Sequence, residues 1–155
     1  MLGDGGALGD TSGRTKTLEE KSVFALASKN FEFTILALSS EKKKIFRKLN
    51  QKYGESRAKT IIHSVKIYFA LKNYINTCPA FYICLDGFRI DLIKYYLKQF
   101  LGNDYHEKKI NLKLSLTPMF GKENIADRLA WSVNKEGKKQ TMLLREKHFK
   151  KLILI

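Results

Sequence analysis

Cysteine, proline and long apolar runs are all scarce in this chain of 155 residues. The two cysteines, Cys78 and Cys84, have no second cluster of cysteine or histidine beside them, which argues against a zinc site or a disulfide framework. Their apolar surroundings predict core residues in a reducing compartment. No apolar run approaches the roughly 20 residues that span a bilayer. The glycine-rich start also lacks the basic region and apolar core of a secretory signal. These absences predict a cytoplasmic protein that does not enter a membrane.

Acidic residues are also few, and the imbalance of charge is large. The chain has 15 Asp and Glu against 29 Lys and Arg, a formal net charge of +14. Such a charge creates a field that attracts polyanions, so nucleic acid is the first expected partner and anionic lipid the second. The basic residues are spread along the chain, and Lys42–Lys44 alone would be read as a solvated helix face.

The apolar residues predict one domain that covers residues 1–155. Their spacing predicts strands that alternate with helices. The predicted strands are a short one near 7–8 and others at 22–28, 31–38, 80–85 and 109–116. The predicted helices are 42–53, 55–75, 89–101 and 122–135, with Lys59 and Lys66 on the polar side of the second. Residues 137–155 form a basic extension in which helix and strand remain open.

This order of elements predicts an α/β fold with a mixed five-stranded sheet. The first three strands are joined by short connections and favour an antiparallel meander, whereas the later strands are joined through helices and favour parallel pairing. Helices are expected on both faces of the sheet.

Three acids lie where an α/β sheet usually carries its functional groups. Asp10 follows the predicted first strand, Asp86 ends the buried strand, and Asp127 lies near the start of the last predicted helix. Carboxylates that converge on a basic surface are suitable ligands for Mg²⁺. Taken singly, Asp10 and Asp86 also suit turns, and Asp127 suits an exposed helix position.

The chain resembles the ribonuclease H-like superfamily, and more narrowly the compact, poorly characterised archaeal and bacterial families of predicted nucleases within it. The resemblance is carried by the order of elements, the segment Asp10–Gly13, the aspartate that closes the fourth strand, and the helix segment Ile125–Ala130. It implies that Asp10, Asp86 and Asp127 are catalytic residues that bind two Mg²⁺ or Mn²⁺ ions. Two such ions can assist cleavage of a phosphodiester bond.

The chain departs from the pattern of that superfamily in two places. Few apolar residues precede Asp10, and no helix-borne glutamate follows the third strand, because residues 56–85 contain no Asp or Glu. Three explanations stay open. Glu41, Glu55 or Asp91 replaces that glutamate, the site works with three ligands, or the activity has been lost.

We therefore expect a metal-dependent nuclease that acts on RNA, an RNA/DNA hybrid or structured nucleic acid, with DNA as an open alternative. The alternative from another class is a nucleic-acid-binding protein of the same fold without catalysis. A third interpretation is an assembly domain whose lysine-rich faces contact acidic proteins. The sequence leaves the oligomeric state open.

Overall fold

The computed structural model describes residues 5–13, 16–121 and 124–153, and in these ranges strands alternate with helices. The strands are β1 (Ala7–Ser12), β2 (Ser22–Ala27), β3 (Glu32–Ala37), β4 (Phe81–Cys84), β5 (Ile110–Lys113) and β6 (Met142–Leu143). The α-helices are α1 (Ser39–Tyr53), α2 (Glu55–Lys72), α3 (Ile90–Leu101), α4 (Thr117–Phe120), α5 (Ile125–Lys135) and α6 (Lys147–Lys150). A short 3₁₀ turn, Gly102–Asp104, follows α3.

The strands form one mixed sheet in the order β5-β4-β1-β2-β3-β6. Strands β1, β2 and β3 make an antiparallel meander, and β4 pairs parallel to β1 on one side and to β5 on the other. The predicted α/β class and mixed sheet are confirmed, whereas the count of five strands is wrong. The sixth strand comes from the basic extension and pairs parallel to β3.

The basic extension contributes a strand because hydrogen bonds between Thr141 and Thr34 fix its register against β3. Met142 lies opposite Ile35, and the Thr141 amide donates to the hydroxyl of Thr34 at 2.9 Å. The Thr34 amide in turn donates to the Thr141 hydroxyl at 3.0 Å. Such a short strand has no clear periodicity of its own, and its pairing depends on the edge that β3 offers.

Two other elements differ from the sequence-based expectation. Strand β1 extends through Asp10 to Ser12, so Asp10 lies inside the strand rather than after it. Strand β5 ends at Lys113, and Pro118 lies within the short helix α4. The predicted start of the last helix, residues 122–123, falls outside the described residues, and α5 begins at Ile125.

Strand β1 forms despite its weak composition because it pairs on both sides. Its backbone bonds to β2 and to β4, and this pairing outweighs the low strand propensity of glycine. Alternation along β1 directs Ala7 and Gly9 toward α2, and Leu8 and Asp10 toward α5. Each face of the sheet therefore has its own apolar core.

The larger core lies under α1, α2 and α3. Buried side chains of β2, β3 and β4 meet those of the three helices there, and Phe149 of α6 joins them. On the opposite face α5 covers β2 through Leu129, Ala130 and Val133. Cys78 and Cys84 are free and buried, as expected for core residues. Among the described helices, none has the length and apolarity needed to cross a membrane.

Substitution of Gly9 by alanine should destabilise the fold. A Cβ at this position would lie 2.7 Å from Cδ1 of Ile83 and 2.8 Å from Cζ of Phe24, both of which are buried. Overpacking of this kind costs about 1–3 kcal/mol. Urea unfolding of Gly9→Ala should show that loss, whereas Leu114→Ala, at a side chain 85% exposed, should stay within about 0.5 kcal/mol of the parent protein. Equal stability of Gly9→Ala and the parent would contradict the packing around β1.

Candidate metal and nucleic-acid site

Asp10 and Asp86 are brought to the same edge of the sheet by the parallel pairing of β1 with β4. Gly9 lies opposite Ile83, so Asp10 comes next to Cys84, and Asp86 follows two residues later. Asp86 adopts a positive φ of 52°, and Gly87 after it has φ of 82°. Aspartate tolerates this left-handed conformation better than most residues. The turn closes with a hydrogen bond from the Phe88 amide to the Leu85 carbonyl.

Asp127 reaches the site from α5, on the face of the sheet toward which Asp10 points. It is the third residue of that helix, where the helix dipole favours a negative charge. Asn124 connects the two acids. Its Oδ1 accepts a hydrogen bond from the Asp127 amide at 3.1 Å, and its Nδ2 donates to Oδ2 of Asp10 at 2.8 Å. A single buried side chain therefore caps the helix and orients the strand carboxylate.

The pKa of Asp10 depends on its burial, on its hydrogen bonds and on the charges of the other two predicted aspartates. Burial raises the pKa of Asp10 above its usual value, and hydrogen bonds from Asn124 and from the Thr11 amide lower it in part. The charges of Asp127 and Asp86 raise the pKa of Asp10 further. Asp86 and Asp127 thus both act on the charge of Asp10, although the three residues come from separate elements.

Carboxylate oxygens are the type of ligand that a hard divalent cation prefers. Each carboxylate oxygen of Asp10 accepts one hydrogen bond in the structure and retains a lone pair for a further ligand. Within the described ranges no three His, Cys, Asp or Glu side chains stand close enough together to hold one ion. Mg²⁺ commonly keeps several waters and uses one or two protein carboxylates, so a complete protein cage is not required.

The three acids that could replace the missing glutamate each form an ion pair with a basic side chain. Glu41 pairs with Arg145, Glu55 with Lys59, and Asp91 with Arg89. All three pairs lie at least partly at the surface, where such contacts contribute little to stability. The structure gives none of these acids a contact with Asp10.

Two buried lysines lie beneath the same edge of the sheet. Lys66 of α2 is 0% exposed and Lys42 of α1 is 1% exposed, so the expected polar faces are wrong at both positions. The Lys66 ammonium donates to the hydroxyl of Ser22 at 3.3 Å. The Lys42 ammonium donates to the Thr17 carbonyl at 2.9 Å and approaches the Ser22 hydroxyl at 3.5 Å.

Burial dominates the proton affinity of both lysines. It lowers the pKa of Lys66 to about 7, with a further lowering by Lys42, while Asp86 acts in the opposite direction. Burial lowers the pKa of Lys42 to about 8, opposed by Glu20. Neither ammonium has an ion-pair partner among residues 5–13, 16–121 and 124–153. Burial therefore favours the neutral form of both lysines over the charged form.

His63 lies one turn before Lys66 and is fully buried. Its ring stacks on Phe88 with the ring centres 4.8 Å apart, and neither ring nitrogen has a hydrogen-bond partner of acceptable geometry among the described residues. Burial and the nearby Lys66 charge lower the pKa of His63 well below its usual value. His63 is therefore neutral at pH 7 and adds no charge to the site.

An open cavity of about 650 Å³ adjoins Asp86. Its walls include Gly13, Lys16, Thr17 and Lys59. A second cavity of about 270 Å³ shares Lys16 and Lys59 with the first and continues toward Arg89 at the start of α3. The two cavities form a groove beside Asp86 that carries Lys16, Lys59 and Arg89, with Glu19 and Glu55 also in its walls. That groove suits the phosphates of an extended polyanion.

The sequence pointed to the three aspartates but not to the groups that support them. Asn124 had a recognisable signal, because asparagine before an amphipathic helix is a preferred N-cap. Lys42 and Lys66 had none, since lysine in a basic protein is expected at the surface.

Comparison with known proteins adds no relative: no family model, curated protein or solved structure matches the chain.

Substitution of Asn124 should separate its two roles. Asn124→Ala removes the cap of α5 and should lower the free energy of unfolding by about 1 kcal/mol. Asn124→Ser retains a capping hydroxyl but is too short to reach Asp10, so it should unfold close to the parent. The pKa of Asp10, followed by carboxyl NMR, should rise in both variants because the hydrogen bond from Asn124 lowers it. An unchanged Asp10 titration would show that this bond is absent in solution.

Removal of the buried charge of Lys66 should stabilise the protein. The folded pKa is about 7 and the unfolded value 10.5, so the unfolded chain binds more protons between these limits and stability rises with pH across them. Lys66→Met should raise the free energy of unfolding at pH 7 by about 1–4 kcal/mol.

Urea unfolding between pH 7 and 10 measures this effect. The parent protein should gain stability over the range, and Lys66→Met should gain less, with Lys42 supplying the remainder above pH 8. Lys72→Met, at an exposed position of the same helix, should follow the parent. Equal pH slopes in Lys66→Met and the parent would contradict the buried position of Lys66.

Proposed function

We propose that this protein is a nuclease of ribonuclease H-like fold that hydrolyses phosphodiester bonds with Mg²⁺ or Mn²⁺. The observation that carries the proposal is the position of Asp10, which lies beside the end of β4 that leads to Asp86 and shares the Asn124 side chain with the start of α5, where Asp127 lies. Isolated acids in a protein of net charge +14 would be expected to pair with cations. These three have no ion-pair partner among the described residues.

The arrangement of strands supports the same proposal. An antiparallel meander that continues into parallel strands, with helices on both faces, is the architecture that the sequence resemblance implies. The resemblance rests on Asp10 after the first strand, Asp86 at the end of the fourth and Asp127 in the last long helix. Asp10 lies within β1, Asp86 lies two residues after β4, and Asp127 lies in α5.

Each part of the site has a distinct role in this proposal. Asp10, Asp86 and Asp127 would supply carboxylates to the bound metal, with waters completing its coordination because no three described side chains close around one ion; the metal would polarise the phosphate and ease deprotonation of the attacking water. Lys16, Lys59 and Arg89 bind the phosphates along the groove and hold the strand in register with the aspartates. Asn124 keeps the Asp10 carboxylate oriented toward the site.

Trp131 adds a surface on which a base can stack. It is 49% exposed and lies one helical turn beyond Asp127 on α5. Residues four apart share a helix face, so its ring is on the side of the helix that carries the acid. Stacking of this type is worth about 1–3 kcal/mol per base and does not depend on sequence. The substrate class that we propose is RNA, an RNA/DNA hybrid or structured RNA, with DNA tested beside it.

A cleavage assay on single-stranded, duplex and hybrid substrates tests the proposal. Asp86→Asn should reduce the rate with Mg²⁺ or Mn²⁺ by at least about 100-fold, because loss of a supporting group alone costs 10–100-fold at metal sites. The matched control is Asp104→Asn, an exposed aspartate on the 3₁₀ turn, which should cleave at the parental rate. Full activity of Asp86→Asn would remove Asp86 from the site.

The alternative function is nucleic-acid binding without catalysis. It is favoured by the absence, within the described residues, of a closed group of three metal-binding side chains. It predicts binding that weakens steeply with salt, no turnover with either metal, and equal affinity of Asp86→Asn or tighter binding through the lost negative charge.

A further inference from the structure

A further cavity lies where the end of α2 meets α6, away from the aspartates. Its volume is about 310 Å³. Lys59, in the groove beside Asp86, and Lys72, in this cavity, are about 20 Å apart along the axis of α2, at about 1.5 Å per residue. We call this cavity the α2–α6 pocket, and its walls include Tyr68, Phe69, Lys72, Lys147, His148 and Lys151.

The α2–α6 pocket has an aromatic wall to which both helices contribute. The rings of Phe69 and His148 lie 5.4 Å apart between centres, with 68° between their planes. Tyr68 packs edge to face on Phe69 at 5.0 Å. All three side chains are only partly buried and line the cavity, so part of each ring is open to a ligand. Nucleobases stack on aromatic rings of this kind.

Three lysines surround the aromatic wall. The Lys72 ammonium is 5.2 Å from the ring centre of Phe69 and 5.9 Å from that of Tyr68. Lys72, Lys147 and Lys151 are exposed, and none of them forms an ion pair with an acid of the described residues. Their charge is therefore free to bind phosphate groups.

Nearby acids do not neutralise these lysines. The nearest acid in the sequence, Glu146, is paired with Lys48 at 2.7 Å and with Lys150 at 3.5 Å. No acidic side chain of the described residues lines the α2–α6 pocket, whereas Glu19 and Glu55 line the groove beside Asp86. The α2–α6 pocket is therefore the more uniformly basic of the two.

The core holds the α6 side of the pocket in place. Phe149 is 0% exposed and belongs to the larger core. The Arg145 amide donates to Nδ1 of His148 at 2.9 Å, so the proton of the neutral ring lies on Nε2, which is a donor. These groups are therefore fixed before a ligand binds, which lowers the entropy cost of binding.

A neighbouring cavity continues the same basic surface. Its volume is about 340 Å³, it shares Lys151 and Leu152 with the α2–α6 pocket, and it reaches Tyr53 and Lys150. Two cavities side by side suit successive nucleotides of an extended strand. A duplex hides the faces of its bases, so an aromatic wall favours a single strand.

We propose that the α2–α6 pocket binds a base of single-stranded nucleic acid, with the flanking phosphates held by Lys72, Lys147 and Lys151. This inference goes beyond the proposed nuclease function, because it requires neither the aspartates nor a metal ion. It also assigns a role to the basic extension, which supplies α6.

Fluorescence anisotropy with a short labelled oligouridine, in the presence of EDTA, measures the phosphate contacts. Lys147→Gln/Lys151→Gln should bind at least about tenfold more weakly than the parent. The plot of log affinity against log salt should become shallower by about 1.4, since each phosphate contact on a single strand contributes about 0.7. Lys108→Gln/Lys139→Gln removes the same charge from exposed positions outside both cavities and should stay within about twofold of the parent.

The aromatic wall is tested by Phe69→Leu, which keeps an apolar side chain but removes the ring. It should weaken oligouridine binding by at least about fivefold and leave the binding of inorganic polyphosphate unchanged. The control Tyr95→Leu removes a ring that is 57% exposed on α3, outside the pocket, and should bind oligouridine as the parent does.

Light-induced crosslinking of an oligouridine that carries 4-thiouridine locates the bound strand. Mass spectrometry should find crosslinks at Phe69, His148 or their immediate neighbours. Crosslinks confined to the groove beside Asp86 would overturn the inference, as would equal affinities of Lys147→Gln/Lys151→Gln and its control. An equal loss of oligouridine and polyphosphate binding in Phe69→Leu would also overturn it.

Two further outcomes separate this inference from other interpretations. If Lys147→Gln/Lys151→Gln lost binding to phosphatidylserine vesicles but kept its affinity for oligouridine, the pocket would belong to a membrane surface and the inference would be overturned. Pocket-dependent binding in EDTA without cleavage of any substrate in Mg²⁺ or Mn²⁺ would end the nuclease proposal and support this one.

Discussion

The parallel pairing of β1 with β4 is the constraint on which the rest of the site depends. It places Asp10 beside Cys84 and brings the turn at Asp86 to the same edge of the sheet. Gly9 permits this pairing, because any larger residue would meet the buried side chains of Ile83 and Phe24. The other parts of the site, from the Asn124 cap to the basic groove, are arranged around these two neighbouring strand ends.

A site of this kind is obtained at a cost in stability. Two ammonium groups without ion-pair partners in the described residues, and a carboxylate whose pKa is raised by burial, are all unfavourable in the unliganded fold. Titratable groups perturbed in this way are found at functional sites more often than elsewhere in a protein.

The sequence predicted those elements whose periodicity is strong and local. The hairpin of β2 and β3, the buried strand β4 and the amphipathic helices α3 and α5 were identifiable from side-chain spacing alone. Strand β6 and the extension of β1 through Asp10 were not, because both depend on pairing with distant strands. Among the site residues, the three aspartates stood out as rare acids in a basic chain. Lys66 did not, since its burial is decided by how α2 packs on the start of β2.

A bound ion would locate the metal site. Crystals soaked in Mn²⁺ would be measured at a wavelength where manganese scatters anomalously. We expect an anomalous peak at the edge where β1 and β4 end, within coordination distance of a carboxylate oxygen of Asp10 or Asp86. Full occupancy at a site away from these aspartates, with no peak at this edge, would contradict it.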